Sequence, residues 1–72
     1  MIMPLEINRV YKIIGGTSYA IIKYMGKTHM VYQRYHSMEF LMSGQFSENA
    51  TLIEEFRKNF IPTDFIFDSG EV

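Results

Sequence analysis

Tyr19-Ala20-Ile21-Ile22-Lys23-Tyr24-Met25, then Gly26-Lys27, then Thr28-His29-Met30-Val31-Tyr32-Gln33-Arg34-Tyr35-His36 is the stretch whose reading decides the fold. Two runs rich in β-branched and aromatic residues flank a Gly-X pair. That pattern predicts two antiparallel strands, residues 19–25 and 28–36, joined by a two-residue turn. With Gly26 and Lys27 as the loop, Met25 faces Thr28, and the cross-strand pairs count backwards from there. One face then carries Ile22 with Val31, Tyr24 with His29 and Ala20 with Gln33, and is expected to point inward. The other carries Ile21 with Tyr32, Lys23 with Met30 and Tyr19 with Arg34. Tyr19, Lys23, Tyr32 and Arg34 would thus share one outward, aromatic and basic face, which is the expected partner-binding surface. A shift of one residue in the turn would rearrange these pairs.

Working outward, residues 7–14 form a further strand-like run, broken by Gly15-Gly16-Thr17-Ser18, whose glycines supply the positive φ that tight hairpins need. Downstream, residues 37–42 alternate Met38, Phe40 and Met42 with Glu39 and Leu41 and read as a short fourth strand ended by Ser43-Gly44. Next comes an amphipathic helix over about residues 49–60. Leu52, Ile53, Phe56 and Phe60 fall on one face, and Glu54, Glu55, Arg57 and Lys58 cover the rest. Ser47, Asn49 or Thr51 could cap its start, and Pro62 ends it near Phe60. Its early acids and late bases suit the helix dipole, with Glu54 and Lys58 spaced as a pair. So short a helix is marginal alone and must dock. Residues 63–67 could add an edge strand, and 68–72 read as a frayed tail. The expected fold is therefore α+β: an antiparallel sheet of three to five short strands with one helix packed on one face.

The chain has 72 residues and no cysteine. That length holds one domain, 1–72, and a domain so small buries only roughly 60% of its unfolded surface. Without disulfides or thiolate metal sites it must rely on dense packing or on self-association, so a homodimer is expected. No run approaches the ~20 apolar residues of a membrane span, and residues 1–6 lack the basic start and apolar run of a signal peptide; a cytoplasmic location is the expectation. The net charge of −1 conceals a partition. Residues 1–36 carry +4 and all five tyrosines, whereas residues 37–72 carry −5 and all six phenylalanines. Phe suits a core, while Tyr tolerates a half-wet surface. This contrast is a second reason to expect the presented face in the N-terminal half.

No catalytic, metal or cofactor pattern emerges. His29 and His36 stand seven apart on one strand and so face opposite ways. Ser18, Ser37 and Ser43 lack a nucleophile-elbow sequence. Adjacent Glu54 and Glu55 point about 100° apart on a helix, which does not suit paired acid and base work. The Gly15-Gly16-Thr17-Ser18 stretch lacks the phosphate-loop lysine and is not followed by a helix. The methionines read as core filler.

What remains is the tyrosine and basic face. One reading is a non-catalytic protein-binding module, since Tyr and Arg concentrate at interface hot spots. Another is single-stranded nucleic-acid binding, with Tyr19 and Tyr32 stacking bases and Lys23 and Arg34 meeting phosphates. A third is that the tyrosines simply roof a small core. The mix rich in Ile, Lys, Tyr, Phe, Asn and Met resembles small accessory proteins of AT-rich tailed phages. The order of a Gly26-Lys27 turn, a Tyr-bearing strand, Glu39-Phe40-Leu41 and then Leu52-Ile53-Glu54-Glu55 on a helix is similar to small phage inhibitors of uracil-DNA glycosylase. The resemblance implies a protein that inhibits a host or DNA-processing enzyme, although the modest charge departs from strongly acidic DNA mimics.

Overall fold

A computed structural model describes residues 5–63. Within them lie β1 (Val10–Ile13), β2 (Tyr19–Met25), β3 (His29–Tyr35), α1 (Met38–Ser43), β4 (Ser47–Leu52), α2 (Ile53–Asn59) and β5 (Phe60–Pro62). The strands form one antiparallel sheet in the order β4-β3-β2-β1-β5. The α+β class is as expected; the sheet, however, is covered on both faces, by a different helix on each. No helix among the described residues is long and apolar enough to cross a membrane.

Side chains alternate across a strand, so the two core clusters report the two faces. Tyr11, Ala20, Ile22 and Met30 point to the face on which α2 lies and are buried with Phe56 and Phe60. Val10, Ile21 and Tyr35 point the other way and are buried with Leu41 of α1. The centre of the first cluster is aromatic. Phe56 stacks on Phe60 at 4.3 Å and receives the edges of Tyr11 and Tyr32 at 5.4 and 5.2 Å. The Tyr11 hydroxyl, at the bottom of this cluster, accepts a hydrogen bond from the Glu6 backbone N–H at 2.9 Å.

Three local readings of the sequence are corrected. First, the turn between β2 and β3 lies one residue later. Gly26 N–H donates to the His29 carbonyl at 2.8 Å, and Met25 faces Met30, so Lys27-Thr28 forms the tip. Gly26 is needed for close approach, because a Cβ there would sit 3.0 Å from the His29 carbonyl oxygen. A bulge at Lys23, between Ile22 and Tyr24, then returns one residue, giving Ile22 with Tyr32, Ile21 with Gln33, Ala20 with Arg34 and Tyr19 with Tyr35. The net slip of one residue turns β3 over relative to the expected register. Tyr32 thereby gains Phe56 and Phe60 as neighbours, which stabilises the observed register.

Second, residues 38–43 are a helix and not a strand. Ser37 is its N-cap, with its hydroxyl facing the Phe40 N–H at 3.5 Å, and Gly44 closes it in the left-handed region at φ 76°. Third, the second helix starts at Ile53, because residues 47–52 pair with residues 29–34 of β3 as β4. None of the expected caps acts there: Leu52 occupies the cap position and makes no side-chain bond, and the Ile53 N–H donates to the Thr28 carbonyl at 2.8 Å. The helix does end before Phe60, as expected, and Lys58 pairs with Glu55 at 3.7 Å instead of with Glu54. Phe60–Pro62 forms the edge strand beside β1. Most of the strand expected over 63–67, and the tail expected over 68–72, lie outside the described residues.

Candidate interaction surfaces

The four residues expected to form one binding face are distributed over the molecule. Tyr19, partly buried, lies on the α1 side opposite Tyr35. Lys23 stands exposed at the bulge, its ammonium donating to Asn8 Oδ1 at 2.8 Å. Tyr32 lies on the α2 side, with its ring against Phe56 and Phe60. Arg34 shares that side, pairs with Ala20 and donates to the buried Ser18 hydroxyl at 3.2 Å. Tyr19 and Tyr32 therefore do not form a common stacking platform. The register slip is the physical reason, since it exchanges every β3 side chain between faces.

A different surface gathers around α1. A six-residue helix resting on a sheet can turn only about one side of its circumference inward. In α1 that side is Leu41, which is fully buried beneath Val10, Ile21 and Tyr35. Met38, Phe40 and Met42 remain 39%, 38% and 68% exposed, and Phe46, just after the helix, is 49% exposed. Phe40 and Phe46 line a groove of ≈ 320 Å³ together with Arg34, His36, Gln45 and Ser47. The His36 ring meets Phe40 edge-on at 5.7 Å, and Phe46 leans on Tyr35 at 5.5 Å, so the aromatic walls are braced. Burial pushes the Tyr35 hydroxyl above its ordinary range, and that hydroxyl donates to Gln33 Oε1 at 2.8 Å. Among the described residues no carboxylate lies within salt-bridge distance of Arg34. The groove thus combines the aromatic walls of Phe40 and Phe46 with a border of Arg34, His36, Gln45 and Ser47.

Reading Met38 and Met42 as core filler missed this surface. The signal was present: Ser37 and Gly44 bracket the segment as an N-cap and a left-handed C-cap would, and four large apolar residues in six cannot all face one sheet. Among the described residues no group of three His, Asp or Glu side chains stands close enough to hold a metal ion.

The outer edge of the sheet is a further surface. At one side β5 is three residues long and contains Pro62, which lacks a backbone donor. At the other, β4 runs six residues, Ser47 to Leu52, without proline, glycine, lysine or a bulge. No protein-family model, no curated protein and no solved structure matches this chain.

Proposed function

We propose that this chain is a non-catalytic protein-binding domain that modulates its partner by occupying the partner's surface with the exposed apolar flanks of α1 and with Phe46. The observation that carries the reading is the exposure of Met38 and Met42 on one flank of buried Leu41 and of Phe40, next to Phe46, on the other. Large apolar side chains exposed on both flanks of so short a helix mark it as an interaction element. Methionine adapts to varied partner shapes, while aromatic and arginine side chains carry much of the affinity at interfaces. The braced rings of Phe40 and Phe46 suit an inserted apolar side chain. Of the four residues first expected to bind, Arg34 is the one this reading keeps at the site. The nucleic-acid reading has less support, because Tyr19 and Tyr32 occupy opposite faces.

The test uses Met42→Asp, with Tyr24→Asp as the control at an exposed position on another part of the sheet. Both changes should leave thermal stability within about 0.5 kcal/mol of the parent, as exposed substitutions do. Met42→Asp should abolish capture of the partner from native extract, and Tyr24→Asp should preserve it. Capture that survives Met42→Asp, or a parent that captures nothing, overturns the reading.

A further inference from the structure

We propose that β4 is a self-association edge, at which two copies of this chain pair antiparallel about a two-fold axis through Ala50 to make a continuous ten-stranded sheet. In an antiparallel ladder, successive residues turn their N–H and C=O groups alternately toward and away from the neighbouring strand. Ile53 N–H donates inward to Thr28. By alternation Thr51, Asn49 and Ser47 also turn toward β3, while Glu48, Ala50 and Leu52 present their backbone groups outward. Because β4 ends the strand order, these six donors and acceptors face no other strand among the described residues. Natural edges are usually shielded by proline, charged side chains, a bulge or a short length, and of these β4 has only the one charge of Glu48.

One self-complementary register pairs every outward group of the edge. With Ala50 opposite its own copy, Glu48 of one chain faces Leu52 of the other, and all six outward groups of each chain are paired. The smallest side chain of the three falls on the axis. Charge favours the same arrangement. Glu48 lies at one end of the outward row, whereas at the other end Leu52 is flanked by His29 across the ladder and by Lys27 at the β2–β3 tip. An antiparallel copy brings each acid toward the other chain's base-bearing end, although Glu54 also lines that end. The two Glu48 carboxylates stay four strand positions apart, or about 13 Å.

A second copy is preferred over a foreign strand because one sequence supplies both halves of this match. The axis stands perpendicular to the sheet, so both α1 helices rise from the same side of the dimer, as an isologous contact requires. The pairing is made by backbone groups of β4 and uses none of Met38, Phe40 and Met42, so it stands whether or not they bind a partner.

Sedimentation equilibrium of the parent at micromolar concentration should give twice the monomer mass. Ala50→Pro removes an outward N–H and leaves the β3 ladder intact, so it should give a folded monomer. The chain has no cysteine, which allows the register to be read covalently. Under mild oxidation by glutathione disulfide, Ala50→Cys should link to itself, whereas Glu48→Cys should link to Leu52→Cys in a mixture and not to itself. A monomeric parent overturns the proposal, leaving the edge to a foreign strand. It is overturned equally by a folded Ala50→Pro protein that stays dimeric, or by the reverse crosslinking pattern. Should Ala50→Pro fail to fold, the cysteine pattern decides. Loss of capture in Met42→Asp without loss of dimer mass would separate this proposal from the binding role of α1.

Discussion

Phe56 touches Tyr11, Tyr32 and Phe60 within one ring cluster and has almost no exposed surface. Phe56→Ala should therefore cost about 3–5 kcal/mol in urea unfolding. That is a large share of the stability a chain of this size can hold. A loss below about 1 kcal/mol would mean that the cluster relaxes around the gap. Tyr35 provides a residue-scale prediction with a pH axis. Burial favours its neutral form, so the folded protein keeps this proton at a pH where the unfolded chain has lost it. Above pH about 10 the unfolded state binds fewer protons, and stability falls as pH rises through that window. Below it the contribution is fully present. Tyr35→Phe should lose the bond to Gln33 and be weaker at neutral pH, yet lose less stability between neutral and strongly alkaline pH than the parent. Denaturant titrations of both proteins at the two pH values measure the difference; equal alkaline losses would contradict it. Phe56 as a core residue was legible in the sequence from helical spacing. Tyr32 as a core residue was not, because its face depends on a register that counts through a bulge.

At the scale of elements, α1 is the part held most narrowly. One fully buried side chain and two end caps fix it to the sheet. Leu41→Ala should cost about 2–5 kcal/mol by leaving a cavity beneath the helix. Gly44→Ala meets open space, so its cost of about 1 kcal/mol would come from the left-handed backbone alone. Gly44→Asn should cost less, since asparagine tolerates that conformation better. An unchanged melting temperature in Gly44→Ala would show that the cap is dispensable. The alternation of Met38, Phe40 and Met42 suggested a strand because periodicity over six residues does not distinguish a strand from a helix with apolar side chains on both flanks. The capping residues on either side carried the better information. For α2 the opposite held: its apolar spacing was legible, but its start was not, because residues 47–52 complete β3 before any side-chain cap can act.

At the scale of the molecule, β2 and β3 are central in the sheet and bonded on both sides, whereas α1 rests on one of its faces. Amide hydrogen exchange should follow this arrangement, with residues 20–22 and 30–32 exchanging last and residues 41–43 well before them. Equal protection in both sets would mean that the helix and sheet open as one unit. The same experiment across protein concentrations would bear on β4. If two copies pair there, the outward amides of Glu48, Ala50 and Leu52 should slow as concentration rises, while the inward amides change less.

Sequence alone specifies the class of fold, the central hairpin and the apolar side of α2. These follow from local preference, from apolar spacing along one stretch and from composition. Tertiary structure decided the register of β3, the separation of Tyr19 from Tyr32, the second helix and its outward methionines, and which sheet edge stays open. Each depends on a balance between distant segments. A bulge and a shifted turn are retained because they bring Tyr32 against Phe56 and Phe60, and residues 47–52 extend because β3 offers them a full ladder of hydrogen bonds.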